Sequence, residues 1–182
     1  MKNKYLFAIL FVFSIITVNA QFAEDDMESA WKDLTKENIT NKDFVIGISA
    51  SGTTPYVIGG LLACRQNEVA TGSITCNPGS PLVSKADHPV CVVTGPEFVT
   101  GSTRMKAGTA QKLVLNMITT TVMIKLGRIL DNKMVDMQLT NTKLQERAVR
   151  MIRHFLDIDA DAAKILLDKH GTVRKVLNSQ ID

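Results

Sequence analysis

Apolar residues recur along this 182-residue chain with two periods, and the switches between them mark out its elements. From Ala23 to Asn38, Met27, Ala30, Trp31 and Leu34 fall at helical spacing. Acidic residues come first and Lys32 and Lys36 later, which suits a helix dipole. Asp43 to Ile48 is a continuous apolar run of the kind covered on both faces of a parallel sheet. Pro55 to Gln66 reads as a helix, with proline at its first turn, where the missing N–H costs nothing. Val69 to Cys76 is a second strand, Asn77-Pro78-Gly79-Ser80 a turn, Val83 to Asp87 a short helix and Val90 to Val93 a third strand. Strands alternating with helices imply an α/β fold, a parallel sheet flanked by helices.

The next stretch, Thr103 to Leu126, is apolar nearly all round. Ala107, Ala110, Val114, Met117, Thr121 and Ile124 mark one face, and Leu113, Leu115, Ile118, Val122 and Met123 cover the others. Such a helix is expected in the core or at a dimer interface, with its methionines as packing. Met134 to Leu139 reads as a short strand or loop in which Asp136 is a subsidiary site candidate. Asn141 to Phe155 is amphipathic and basic, and Asp159 to Lys169 and Thr172 to Asn178 form two short helices on either side of Gly171. These segments make a small C-terminal helical lobe.

The opening residues differ from all of this. Lys2 and Lys4 precede an almost unbroken apolar run from Leu6 to Val18, and Val18-Asn19-Ala20 offers a cleavage site before Gln21, so residues 1–20 read as a signal-peptide-like leader. The run falls short of the roughly 20 apolar residues that span a bilayer, and no stable membrane span is expected once the leader is removed. Its loss takes two of the 21 basic residues and leaves 19 against 18 acidic ones, a balance that gives no reason to expect nucleic acid as a partner. The whole chain is 45% apolar, a figure the leader inflates, and the remainder can still bury a sizeable core. Cys64, Cys76 and Cys91 are odd in number and lack CxxC or nearby histidines, so they read as buried thiols and no metal site is expected. Such cysteine usage looks cytosolic, whereas the leader points to export into a periplasm or out of the cell.

Two loops carry the candidate chemistry. In Gly95 to Lys112, GPEFVTGSTRMKAGTAQK, the small residues Gly101, Ser102 and Thr103 stand at the mouth of the long helix, and Arg104 and Lys106 add positive charge to its first turn. Unpaired N–H groups and the dipole suit such an end to a phosphate, although an ordinary Ser102 or Thr103 cap explains the spacing about as well. In Val45 to Tyr56, VIGISASGTTPY, a buried strand feeds Ser49, Ser51, Gly52, Thr53 and Thr54 ahead of a helix, the usual arrangement for cradling phosphate with hydroxyls and amides. It has neither the P-loop lysine nor GxGxxG spacing, which favours a small phosphorylated ligand over a nucleotide.

Together with ITCNPGS, these stretches closely resemble the N-acetylmuramic acid 6-phosphate etherases, enzymes with a sugar isomerase (SIS) domain that are related to the glucokinase regulatory protein. The resemblance runs from about Ala23 to the C-terminus. It implies a doubly wound SIS-type sheet whose N-terminal strands are missing. The expected division is a partial SIS sugar-phosphate domain over 21–140 and a helical lobe over 141–182. It further implies a phosphorylated amino sugar as partner, a homodimer, a cytoplasmic site of action and no cofactor. By the AED motif of the family, Glu24 would be a catalytic glutamate. Acids at that place are otherwise sufficiently explained as a favourable first turn.

The reaction implied is elimination of D-lactate from C3 of N-acetylmuramic acid 6-phosphate and addition of water, giving N-acetylglucosamine 6-phosphate. It needs a base for the C2 proton, an acid for the leaving lactate oxygen and an anchor for phosphate. The family's GAGTSGR-like loop and its DASECPP segment, which carries the other catalytic carboxylate, do not occur in these 182 residues, and Thr53 stands where arginine is usual. The expectation is therefore a truncated etherase. A non-catalytic sugar-phosphate-binding module and an inactive fragment are the alternatives.

Overall fold

The computed structural model describes residues 24–180. The leader lies outside them. The chain divides into two compact units, Met1–Asn116 and Met117–Asp182.

In the first unit, helix α1 (Ser29–Lys36) is followed by strand β1 (Phe44–Ile48), helix α2 (Pro55–Gln66), strand β2 (Ala70–Thr75), helix α3 (Pro81–Lys85) and strand β3 (His88–Cys91). All three strands are parallel in the order β1-β2-β3, with Ile46 opposite Gly72 and Ile74 opposite Val90. The α/β expectation is met. Parallel neighbours need a crossover, and α2 and α3 provide the two. The core beneath them joins Leu34 of α1, Val45 of β1, Leu61 and Cys64 of α2, Val69 and Leu82. Burial pushes the Cys64 thiol up to about 11. Cys91, in contrast, is exposed, because β3 has no described strand on its outer side; the reading of three buried thiols fails there.

Two close approaches fix the relation of α1 to α2. A Cβ on Gly59 would stand 2.0 Å from the Met27 carbonyl oxygen, and one on Gly60 would stand 2.9 Å from Ala30 Cβ. Ahead of α1, Asp26 accepts from the Glu28 N–H at 2.8 Å and from Ser29 Oγ at 2.6 Å, so the helix starts later than the spacing of Ala23 to Asn38 suggests.

Helix α4 spans Lys106–Lys125. Ala107 and Val114 are buried, but Leu113 is 55% and Met117 62% exposed, and Ile124 is exposed as well. A helix apolar all round can bury only the faces that find neighbours. Of the two expected positions, core or dimer interface, the core accounts for the side that carries Ala107 and Val114.

In the second unit, β4 (Ile129–Leu130) and β5 (Lys133–Met134) form an antiparallel hairpin, followed by helices α5 (Thr142–Leu156), α6 (Ala160–His170) and α7 (Val173–Asn178). Val135, Met151, Ile152, Leu167, Val173 and Val176 form its core. Each of its helices has a capping side chain: Asn141 accepts from Leu144 N–H at 3.0 Å, Asp159 from Ala162 N–H at 2.8 Å and Thr172 from Lys175 N–H at 3.3 Å. Capping of this kind is readable from sequence alone. Among the described residues no helix is long and apolar enough to cross a membrane.

Candidate functional site

Four hydroxyls gather where β1 ends. Ser49 Oγ lies 2.8 Å from Thr54 Oγ1 and 3.3 Å from Ser51 Oγ, and Thr53 Oγ1 donates to Ser51 Oγ at 2.9 Å. The N–H groups of Gly52 and Thr53 donate to Ser49 Oγ at 3.1 Å and to Ser51 Oγ at 3.3 Å. Ser49 is buried, Thr54 half-buried, and Ser51 and Thr53 face solvent. The five residues singled out in this loop, Gly52 included, are thus brought together at the carboxyl end of a parallel strand, where open α/β sheets bind ligands. Hydroxyls can turn their protons toward an incoming oxyanion while their lone pairs accept from neighbouring groups.

Thr54 occupies the N-cap position of α2, yet its side chain makes no capping hydrogen bond. Its hydroxyl belongs to the cluster instead. Gly52 has φ +69°, and a Cβ there would fall 2.0 Å from Ser80 Oγ and 2.7 Å from Thr75 Oγ1. Only glycine combines that backbone with that contact.

The second loop is arranged differently from its sequence reading. The helix begins at Lys106, not at Thr103. The N–H groups of Lys106 and Ala107 donate to the two carboxylate oxygens of Glu97, each at 3.0 Å. Those two bonds, in that order, hold the Glu97 carboxyl below its usual value of 4.5. Lys106 Nζ donates to the Pro96 carbonyl at 2.7 Å. The anion at this helix end is therefore the chain's own carboxylate. Sequence reasoning missed Glu97 because a cap nine residues ahead of its helix has no local spacing signal. Arg104 borders an apolar cavity of about 610 Å³ within the first unit, together with Leu34, Val45, Tyr56, Leu61 and Lys112.

Glu24 is exposed ahead of α1, and among the described residues no hydrogen bond joins it to the hydroxyl loop. Asp136 lies in the second unit and accepts from Arg174 and, at 3.4 Å, from Arg128. Arg174 also donates to the Gly127 carbonyl. Asp136 thus ties α7 to the hairpin. Among the described residues no group of three or more His, Cys, Asp or Glu side chains could hold a metal ion.

A parallel sheet with a serine- and threonine-rich loop at the carboxyl end of its first described strand is the arrangement of a sugar isomerase domain, and the SIS domain model matches residues 8–121; the chain belongs to that family. Within it, the chain is 62% identical over 157 residues to an N-acetylmuramic acid 6-phosphate etherase of Christiangramia forsetii, covering 86% of this chain and 57% of that protein. It is 55% identical over 157 residues to one from Bacteroides fragilis, covering 86% and 56%. The chain spans little more than half the length of these curated relatives. Among solved structures, the Vibrio vulnificus NanR protein complexed with ManNAc-6P is similar at a TM-score of 0.37 and 19% identity, covering 62% of this chain and 45% of that one.

Proposed function

We propose that this chain carries the phosphate-binding half of a carbon–oxygen lyase that cleaves the lactyl ether of N-acetylmuramic acid 6-phosphate. The observation that carries the reading is the hydroxyl cluster of Ser49, Ser51, Thr53 and Thr54 at the end of β1, in a chain 62% identical to an etherase. Ser49, Ser51, Thr53 and Thr54 would anchor the phosphoryl group through their hydroxyls, with Gly52 giving the loop its turn. Ser102, Thr103, Arg104 and Lys106 would form the other wall through their side chains, since Glu97 already takes the N–H groups of Lys106 and Ala107. Glu24 would exchange a proton with the substrate, taking it from C2 or giving it to the departing lactate oxygen. Residues 21–140 would then be the sugar-phosphate domain and 141–182 an accessory helical lobe.

A second reading, binding without turnover, is favoured by the exposure of Glu24, since a general acid or base is usually tuned by burial. The test is D-lactate release from N-acetylmuramic acid 6-phosphate by the chain and by Glu24→Gln. Release that Glu24→Gln abolishes supports the lyase. Ligand binding with no release selects the binding module.

The exposed apolar side chains of α4, Leu113, Met117 and Ile124, support a homodimer. Sedimentation of a monomer at micromolar concentration would remove that part of the reading.

A further inference from the structure

We propose that Asn77 and Ser80 are positioning residues that hold the hydroxyl loop 49–54 in the form that accepts a phosphoryl group. This assignment rests on the phosphorylated-sugar reading of that loop.

A loop of this kind presents two sorts of backbone group. Its N–H groups attract an oxyanion and its carbonyl oxygens repel one, so selectivity depends on which of them faces outward. Here three consecutive carbonyls are held from behind by the segment that follows β2. The Ala50 carbonyl accepts from Cys76 N–H at 3.0 Å and from Thr75 Oγ1 at 3.3 Å. The Ser51 carbonyl accepts from Asn77 Nδ2 at 3.1 Å, and the Gly52 carbonyl from Leu82 N–H at 3.1 Å. A carbonyl bonded to a donor behind the loop is not free to swing toward the ligand. The Ser51 carbonyl is the one of the three held by a side chain alone, so the choice of residue at position 77 decides it.

Ser80 completes the support. It stands at the N-cap position of the five-residue helix α3 but makes no capping hydrogen bond. Its Oγ is buried in a residue only 5% exposed and finds no partner among the described residues. A serine at an N-cap ordinarily bonds the free N–H groups of its own helix. This one lies instead against Gly52, at the contact that bars any larger residue there. Ser80 therefore limits how far the loop can retreat, while Asn77 fixes which way its carbonyl turns. The turn composition of Asn77 to Ser80 accounts for the chain reversal but not for these two contacts.

Asn77 is exposed, so its substitution leaves the core untouched. The test is calorimetric titration of the full chain, Asn77→Ala and Ser80→Ala with two probes, N-acetylglucosamine 6-phosphate and inorganic phosphate, alongside thermal melts. Loss of one positioning hydrogen bond should weaken both probes by the same factor, about three- to tenfold, in Asn77→Ala, with no change in melting temperature. Ser80→Ala should weaken both probes as well. Unchanged affinity in Asn77→Ala overturns the assignment. So does weakening of the sugar phosphate alone, which would place Asn77 against the sugar. Failure of the unaltered chain to bind either probe overturns the reading of the loop itself, and the assignment with it.

Discussion

The carboxylate of Glu97 receives the N–H groups of Lys106 and Ala107, one on each oxygen at 3.0 Å, and so closes the amino end of α4. Two donors and the helix dipole favour the charged form, which is why the carboxyl titrates below 4.5. A depressed folded-state value means that the contribution is fully present above the unfolded value and is lost as pH falls through the folded one. The chain should therefore lose stability more steeply than Glu97→Gln, which has no charge to neutralise, as pH falls from neutral through and below the usual glutamate range. Melting temperatures of the two chains across that range decide it. Parallel curves would mean that Glu97 contributes no pH dependence.

Gly59→Ala offers a test by sign. In an ordinary exposed helix interior, alanine for glycine stabilises by about 0.5–1 kcal/mol. In α2 the new methyl would stand 2.0 Å from the Met27 carbonyl oxygen, a backbone atom that cannot move without shifting the segment ahead of α1. Overpacking of that kind costs about 1–3 kcal/mol, so the net change should be destabilising. Urea denaturation measures it, and a raised midpoint would show that α1 is free to withdraw from α2.

Removing Asp136 should loosen the second unit locally. The side chain is 14% exposed and serves both Arg174 and Arg128, so Asp136→Ala leaves two guanidinium groups without that acceptor. Hydrogen bonds to charged groups contribute about 1.5–3 kcal/mol, and the partial exposure of Arg174 puts the expected loss at the lower end. Hydrogen exchange of the α7 amides should accelerate while that of β1 to β3 is unchanged. Acceleration everywhere would indicate global unfolding instead.

The sequence by itself determined the order of the helices and of the three parallel strands. It did not determine the hairpin Ile129–Leu130/Lys133–Met134, where it read a short strand or loop over Met134 to Leu139. Proline at position 55 sets the start of α2, and the continuous apolar run to Ile48 marks β1 as a buried parallel strand. Asn141, Asp159 and Thr172 cap the helices of the C-terminal lobe as their residue types dictate. These are short-range effects, legible because each is decided within a few residues. The hydroxyl loop was legible for the same reason, since Ser49 to Thr54 form their cluster within six positions.

Only the tertiary structure decided what the caps near that loop do. Thr54 and Ser80 hold N-cap positions without a side-chain capping bond, the one hydroxyl joining the cluster and the other lying against Gly52. Glu97 takes over the end of α4 across nine residues, and Asn77 reaches 26 residues back to the Ser51 carbonyl. The long apolar helix, read as lying in the core or at a dimer interface, is open along Leu113 and Met117, because burial depends on which neighbours the fold supplies. In each case the local preference of the side chain is weaker than the contact the folded chain brings to it, and such contacts leave no periodic trace in the sequence.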